Sequence, residues 1–99
     1  MTIKRIGVGP RMSAAVIPDV TDQTRQILAA IDGLLAEAGT DKTKLLTANI
    51  WLADIADFAV MNTAWDKWVS PGNTPARATV ESKLAGPEYR VEIQVTAAI

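Results

Sequence analysis

Arg77 and Glu92 are the two side chains whose chemistry and position point most directly to a ligand. Arg77 follows Thr74-Pro75-Ala76, so a proline-stiffened turn delivers its guanidinium at the start of a predicted strand. A planar guanidinium matches a carboxylate through two parallel hydrogen bonds and stays charged at any physiological pH. Residue chemistry alone leaves the alternative open that Arg77 only forms a salt bridge, to Glu81 or Glu92.

Glu92 is predicted to lie in the middle of the last strand, between Val91 and Ile93, on the same sheet face as Arg77. A carboxylate at that position could orient or deprotonate a water molecule. The simpler interpretation is a cross-strand ion pair, and the two interpretations are compatible.

The composition limits which other chemistry is available. The 99 residues include no cysteine and no histidine, which excludes thiolate nucleophiles, Ser-His-Asp triads and zinc hydrolases. We therefore predict no metal site built on thiolate or imidazole ligands. Ten basic against eleven acidic residues give a net charge of -1, with no basic run, so nucleic acid is not an expected partner. No segment approaches the roughly 20 apolar residues of a membrane span or forms a signal peptide, so we expect no membrane partner and a cytoplasmic location.

Hydrophobic periodicity predicts five strands and two helices in the order ββαβαββ. These elements cover residues 2–8, 12–17, 19–38, 46–53, 58–69, 76–81 and 89–98. Asp19 is the predicted N-cap of the first helix and Gly39 its stop, while Asp54 or Asp57 caps the second. The last two strands are long enough to pair as an antiparallel hairpin.

So short a chain predicts a single α+β domain over residues 1–99, with both helices packed on one face of one sheet. The opposite, open face then carries Thr47, Asn49, Trp51, Arg77, Thr79, Glu81, Arg90, Glu92, Gln94 and Thr96, while Val80, Tyr89, Val91, Ile93 and Val95 face the helices. One alternative is that the open face meets water. A subunit interface fits its uncharged polar residues and Trp51 better, because a small domain gains buried area by assembling.

Two C-terminal segments carry a resemblance to a known family. They are Thr74-Pro75-Ala76-Arg77-Ala78-Thr79-Val80-Glu81 and Val91-Glu92-Ile93-Gln94-Val95-Thr96-Ala97-Ala98. With Asn49 to Asp54, Met61-Asn62, Trp65 and the opening Gly9-Pro10-Arg11-Met12-Ser13, the chain resembles the Rid (YjgF-type) family. The resemblance implies a chorismate-mutase-like α+β fold of the bacillary type. It also implies a homotrimer with clefts between neighbouring subunits.

The activity implied by the resemblance is hydrolysis of reactive 2-imino and enamino acids to 2-oxo acids and ammonia, without cofactor. Arg77 matches the family arginine that holds the substrate carboxylate, and Glu92 the glutamate that places the attacking water. Thr79, Met12 and Ser13 are the further substrate-binding residues that the resemblance implies. The alternative is a non-catalytic trimer that binds small carboxylates or regulates a partner. Ribonuclease activity, attached to some relatives, is disfavoured by the charge and the lack of histidine.

The chain departs from the family pattern in its first part. Met12 and Ala14 stand where many members have an aromatic residue and a glutamine. Members also continue past the strand ending at Ile17 into a further strand, whereas this chain passes directly to Pro18-Asp19. We therefore expect one early strand, on the order of a dozen residues, to be missing between Ile17 and Asp19.

Overall fold

The computed structural model describes residues 3–8 and 19–99. Its strands and helices are β1 (Ile3–Val8), α1 (Val20–Glu37), β2 (Leu45–Leu52), α2 (Phe58–Trp68), β3 (Ala76–Glu81) and β4 (Val91–Ala98). Short 3-10 turns precede β2 at Lys42–Lys44 and α2 at Ile55–Asp57. The strand predicted over residues 12–17 lies outside the described residues.

Helix α1 begins and ends where its capping residues predict. The Asp19 carboxylate accepts hydrogen bonds from the backbone N–H groups of Thr21, at 2.7 Å, and Asp22, at 3.3 Å. These bonds satisfy donors that the first helical turn leaves free. After the helix, Gly39 adopts a positive φ of 80°, which only glycine tolerates at little cost. The prediction of this helix is confirmed.

In the described residues, four strands form one mixed sheet in the order β1-β4-β2-β3. Strand β4 lies between β1 and β2 and is antiparallel to both. Strand β3 pairs in parallel with β2, and α2 is the crossover that joins them. The predicted hairpin of the last two strands is therefore wrong. The connection of residues 82–90 is long enough to carry the chain past β2, so β4 reaches the centre of the sheet and leaves β3 at its edge.

Both helices pack on the same face of the sheet, and the core lies between the two layers. The largest fully buried apolar side chains of this core are those of Ile27, Leu28, Ile31, Leu35, Ile50, Leu52, Met61, Val91, Ile93 and Val95. A bulge between Leu45 and Thr47 shifts the start of β2, so Leu45 is buried and Leu46 is only half-buried. The predicted α+β architecture, with two helices on one face of the sheet, is confirmed. Within the described ranges 3–8 and 19–99, neither helix is long and apolar enough to cross a membrane.

The open face is confirmed for β2 and β4. Its members are Thr47, Asn49 and Trp51 on β2 and Glu92, Gln94 and Thr96 on β4, all more exposed than the core positions that alternate with them. The hydroxyls of Thr47 and Thr96 are hydrogen bonded across the two strands at 2.6 Å. Trp51 and Glu92 are also paired directly.

The face assignment of β3 is wrong. Paired residues of neighbouring strands point to the same side of a sheet. The register gives three such pairs: Arg77 with Ala48, Thr79 with Ile50 and Glu81 with Leu52. Ala48, Ile50 and Leu52 are core residues, so Arg77, Thr79 and Glu81 lie on the helix side. Val80, predicted to face the helices, lies on the open side and is 48% exposed. The segment has a single large apolar residue, and at the edge of the sheet that residue is not forced into the core.

Candidate functional site

The guanidinium of Arg77 lies against two aromatic rings of α2. Its central carbon is 5.3 Å from the centroid of the Trp65 ring and 5.6 Å from that of Phe58. Both distances fall within the range of a cation–π contact. Nη1 of this guanidinium is buried and has no hydrogen-bond partner in the described part of the chain. A buried donor without a partner is costly, so this atom marks a place where a ligand or water can bind.

The spacing of the two aromatic residues explains how one helix supplies both rings. Phe58 and Trp65 are seven residues apart, which is close to two helical turns, so they lie on the same side of α2. Trp65 is buried, at 4% exposed, and belongs to the core, whereas Phe58 is 39% exposed. Asp54, one of the two predicted caps, accepts from the backbone N–H of Ala56 and fixes the turn before the helix.

The alternative that Arg77 forms a salt bridge is not found within residues 19–99. The two ion pairs there join Arg90 to Asp57 at 2.8 Å and Arg25 to Asp22 at 3.9 Å. The Glu81 carboxylate accepts instead from the backbone N–H of Ile55, at 3.0 Å. Arg77 thus keeps its full charge beside the aromatic rings, an arrangement suited to a small anion.

Thr79 follows Arg77 by two residues on the same face of β3. Its hydroxyl oxygen is also buried, and no described residue is hydrogen bonded to it. Two such polar atoms on neighbouring same-face positions extend the candidate site along the strand, and the hydroxyl adds a group that can donate or accept.

Glu92 lies away from this site within a single chain. Arg77 is level with Ala48 on β2 and Glu92 with Trp51, and β2 separates the two strands that carry them. Strand spacings of about 4.8 Å and rises of about 3.3 Å per residue place the two Cα atoms about 14 Å apart. Their side chains also leave the sheet on opposite faces. The predicted shared face of Arg77 and Glu92 is therefore wrong, because β3 pairs Arg77 with the core residue Ala48 and so turns it toward the helices.

Met12 and Ser13, and with them Ala14, lie outside the described residues. Among the residues that the structure describes, no group of three or more acidic, histidine or cysteine side chains could hold a metal ion.

A separate groove of about 600 Å³ follows the connection between β3 and β4 and is lined by residues 81–87 with Ala53 and Tyr89. Arg77 does not line it.

Sequence reasoning missed two features around the site. It missed the contact of Arg77 with Trp65, although the spacing of Trp65 from Phe58, with an arginine on the following strand, is a usable signal for a cation–π contact. It also missed Gln23, a buried polar residue of α1 whose amide donates to the Glu88 carbonyl and accepts from the Arg90 backbone N–H, each at 2.9 Å. No pattern in the sequence distinguishes Gln23 from the other polar residues of that helix.

Comparison with known proteins assigns the chain to a family. A family model described as endoribonuclease L-PSP matches residues 5–99. A crystal structure of a YjgF-family protein from Neisseria meningitidis superposes with a TM-score of 0.87 at 48% identity, covering 94% of this chain and 75% of that one. The chain belongs to the Rid (YjgF-type) family. The α+β fold expected from the resemblance is confirmed by the same structure.

Other Rid relatives match at similar levels. The RutC family protein YoaB of Escherichia coli is 42% identical over 114 positions that cover all of both chains. Against the 99 residues of this chain, at least 15 of those positions have no counterpart here. A relative from Arabidopsis thaliana, named Reactive Intermediate Deaminase A, chloroplastic, is 31% identical over 94 residues, which is 95% of this chain and 50% of that protein. The strand expected to be missing between Ile17 and Asp19 stays a prediction.

Proposed function

We propose that this protein hydrolyses reactive 2-imino and enamino acids to 2-oxo acids and ammonia. The observation that carries the proposal is the Arg77 guanidinium, held against two aromatic rings with a buried donor left without a hydrogen-bond partner. Such a group is suited to bind a carboxylate by two charge-assisted hydrogen bonds. The name of the Arabidopsis relative, a reactive intermediate deaminase, supports the same chemistry.

The reaction needs few groups from the protein. Arg77 holds the substrate carboxylate, and Glu92 places a water molecule against the electrophilic imine carbon. Water adds to the C=N bond and its proton passes to nitrogen. The C–N bond of the resulting carbinolamine then breaks, so one 2-oxo acid and one ammonia are released for each water consumed. An enamino acid first tautomerises to the imine, gaining one proton on carbon and losing one from nitrogen. Because the imine is already electrophilic, positioning the water supplies most of the acceleration.

The separation of Arg77 and Glu92 adds a condition to this proposal. In one chain they lie on opposite faces of the sheet, so one small substrate does not contact both. The proposed site takes Arg77 from one copy and Glu92 from another, in the homotrimer expected from the family resemblance. Thr79 lies beside Arg77, and Met12 and Ser13 stay proposed substrate contacts.

Ammonia release tests the activity. A 2-imino acid is generated from an amino acid by an amino-acid oxidase, and formation of the 2-oxo acid and ammonia is followed with and without this protein. Loss of a charge-assisted carboxylate contact costs about 2–5 kcal/mol, so Arg77→Ala is expected to reduce kcat/KM by about 30-fold or more. Arg25→Ala is the matched control, since Arg25 lies at the surface and pairs with Asp22. Full activity of Arg77→Ala would refute the assigned role.

Subunit mixing tests the shared site. Arg77→Ala and Glu92→Gln are each expected to be inactive alone. After random mixing in equal amounts, about one quarter of the interfaces combine an intact arginine with an intact glutamate, so about one quarter of the wild-type rate returns. If both residues served one site within the same chain, mixing would restore nothing.

A second candidate function, a non-catalytic trimer that binds small carboxylates or regulates a partner, is favoured by the same separation of Arg77 from Glu92. Isothermal titration calorimetry with pyruvate distinguishes it. Pyruvate binding that Arg77→Ala abolishes, together with no imine hydrolysis by the wild-type protein, would select binding over catalysis.

A further inference from the structure

We propose that Trp65, together with Phe58, is a positioning residue that keeps the hydrogen-bond donors of Arg77 free for a carboxylate ligand. The inference rests on the proposed function, because it assumes that Arg77 is the anion-binding group. It assigns to two aromatic residues of α2 a role that core packing alone does not require.

A buried guanidinium can be stabilised in two ways. An ion pair with a carboxylate consumes N–H donors in the guanidinium plane and neutralises the charge, so a ligand would have to displace the partner. Contact with an aromatic ring uses the electron-rich ring face instead and consumes no in-plane donor. Within residues 19–99, Arg77 has the second kind of contact and no ion pair.

The acidic residue nearest along β3 does not take the place of a ligand. Glu81, on the same side of the strand, is held by the backbone N–H of Ile55 at 3.0 Å. Arg77 therefore keeps both its charge and a buried donor at Nη1. A carboxylate that arrives at this donor has no competing protein anion to displace.

Trp65 can act as a fixed support because its own ring is held. It packs against Trp68 with ring centroids 5.4 Å apart and planes inclined by 51°. The indole N–H of Trp68 donates to the Asp32 carboxylate of α1 at 2.9 Å. A series of contacts thus runs from α1 through the two tryptophans to Arg77, and the orientation of the guanidinium is set before any ligand binds.

Substitutions of the two rings test the inference. Without the Trp65 ring the guanidinium is no longer held in one orientation, and fixing it when the ligand binds makes Trp65→Leu raise the Kd for pyruvate about 5- to 10-fold. Phe58→Leu, at a more exposed ring, is expected to raise it about threefold to fivefold. Trp65→Phe keeps an aromatic face and should recover most of the affinity. Because the contact acts in the ground state and in the transition state alike, KM for the imine rises with Kd while kcat stays within about threefold.

Controls separate positioning from loss of stability. Val69→Ala removes core volume at the C-terminal end of α2 without removing a ring, and its Kd for pyruvate should match that of the wild-type protein. Circular dichroism and urea unfolding establish that each variant is folded. If Trp65→Leu is not, Phe58→Leu carries the test, because Phe58 is substantially exposed and its removal leaves the core filled.

A spectroscopic readout tests the positioning without any ligand or turnover. Ring currents of Trp65 and Phe58 shift the Arg77 Nε–H resonance in ¹H–¹⁵N spectra, and Trp65→Leu should move that resonance toward the value of a free guanidinium. Folded Trp65→Leu and Phe58→Leu proteins with unchanged pyruvate Kd and an unchanged resonance would overturn the inference. A fully active Arg77→Ala protein would overturn the proposed function instead, and the resonance would still decide the positioning role.

Discussion

Gln23 offers a test of how the helix layer fixes the start of β4, the strand that carries Glu92. Its side chain is fully buried in α1. The amide nitrogen donates to the Glu88 carbonyl and the amide oxygen accepts from the Arg90 backbone N–H, both at 2.9 Å. Gln23→Leu keeps the approximate volume and removes both bonds. We expect this substitution to destabilise the fold and to loosen the segment that leads into β4.

The magnitude follows from the two backbone groups left behind. A buried donor or acceptor that loses its partner costs about 1–3 kcal/mol. Glu88 and Arg90 are only half-buried, so water can satisfy part of the loss. Gln23→Leu should therefore lower the free energy of unfolding by about 2–4 kcal/mol, a large share of the 5–15 kcal/mol typical of a small domain. Gln23→Glu keeps an acceptor for Arg90 but sets a carboxylate oxygen against the Glu88 carbonyl, so it should cost at least as much at neutral pH.

Urea unfolding at a fixed protein concentration measures these differences. Gln26→Leu is the matched control, because Gln26 lies on the same helix and its side-chain oxygen has no hydrogen-bond partner. We expect the control to stay within about 0.5 kcal/mol of the wild-type protein. Equal midpoints for Gln23→Leu and Gln26→Leu would refute the reasoning that the Gln23 amide holds the connection to β4.

Three further predictions concern single side chains. Asp19→Ala should lower the free energy of unfolding by about 1 kcal/mol, measured in urea, because two N–H groups of the first turn lose their acceptor; no change would argue against the cap. Thr79→Val should keep the melting temperature or raise it slightly, since it removes a buried hydroxyl without a hydrogen-bond partner, and a clear decrease would contradict this account. Hydrogen bonds from the Thr43 hydroxyl and backbone N–H lower the pKa of Asp41. The ionised Asp41 carboxylate therefore stabilises the fold above its ordinary pKa, and this stabilisation is lost as the pH falls through the lowered pKa. A ¹³C NMR titration should show the Asp41 midpoint rising in Thr43→Ala, and an unmoved midpoint would disprove the assignment.

Helices and central strands were predictable because their signals are strong and local. The cap at Asp19, the glycine at 39 and the apolar spacing between them define α1 without any tertiary information. Strands β2 and β4 alternate clearly between apolar and polar residues, so their faces were predicted correctly. The pairing of β3 was not predictable in the same way. Whether a short strand pairs with the next strand along the chain or with a more distant one depends on the packing of the whole sheet.

For the candidate site, too, some features could be predicted from the sequence and others could not. The proline turn before Arg77 correctly indicated a guanidinium at the start of a strand. Its face was predicted wrongly, since a strand of alternating alanines, one threonine and one valine carries little information about which side is buried. Arg77 lies on the helix face and not on the predicted open face. Its neighbours are therefore Trp65 and Phe58 instead of Glu92.

The three tryptophans of the chain lie in three different surroundings. Trp51 is on the open face, Trp65 lies against Arg77, and Trp68 packs on Trp65 and is hydrogen bonded to Asp32 of α1. Indole fluorescence can therefore distinguish events that other probes combine. A change in the emission of Trp51 would report subunit association and a change in the emission of the Trp65–Trp68 pair would report ligand capture, so a Trp51→Phe variant would isolate the second optical signal from the first.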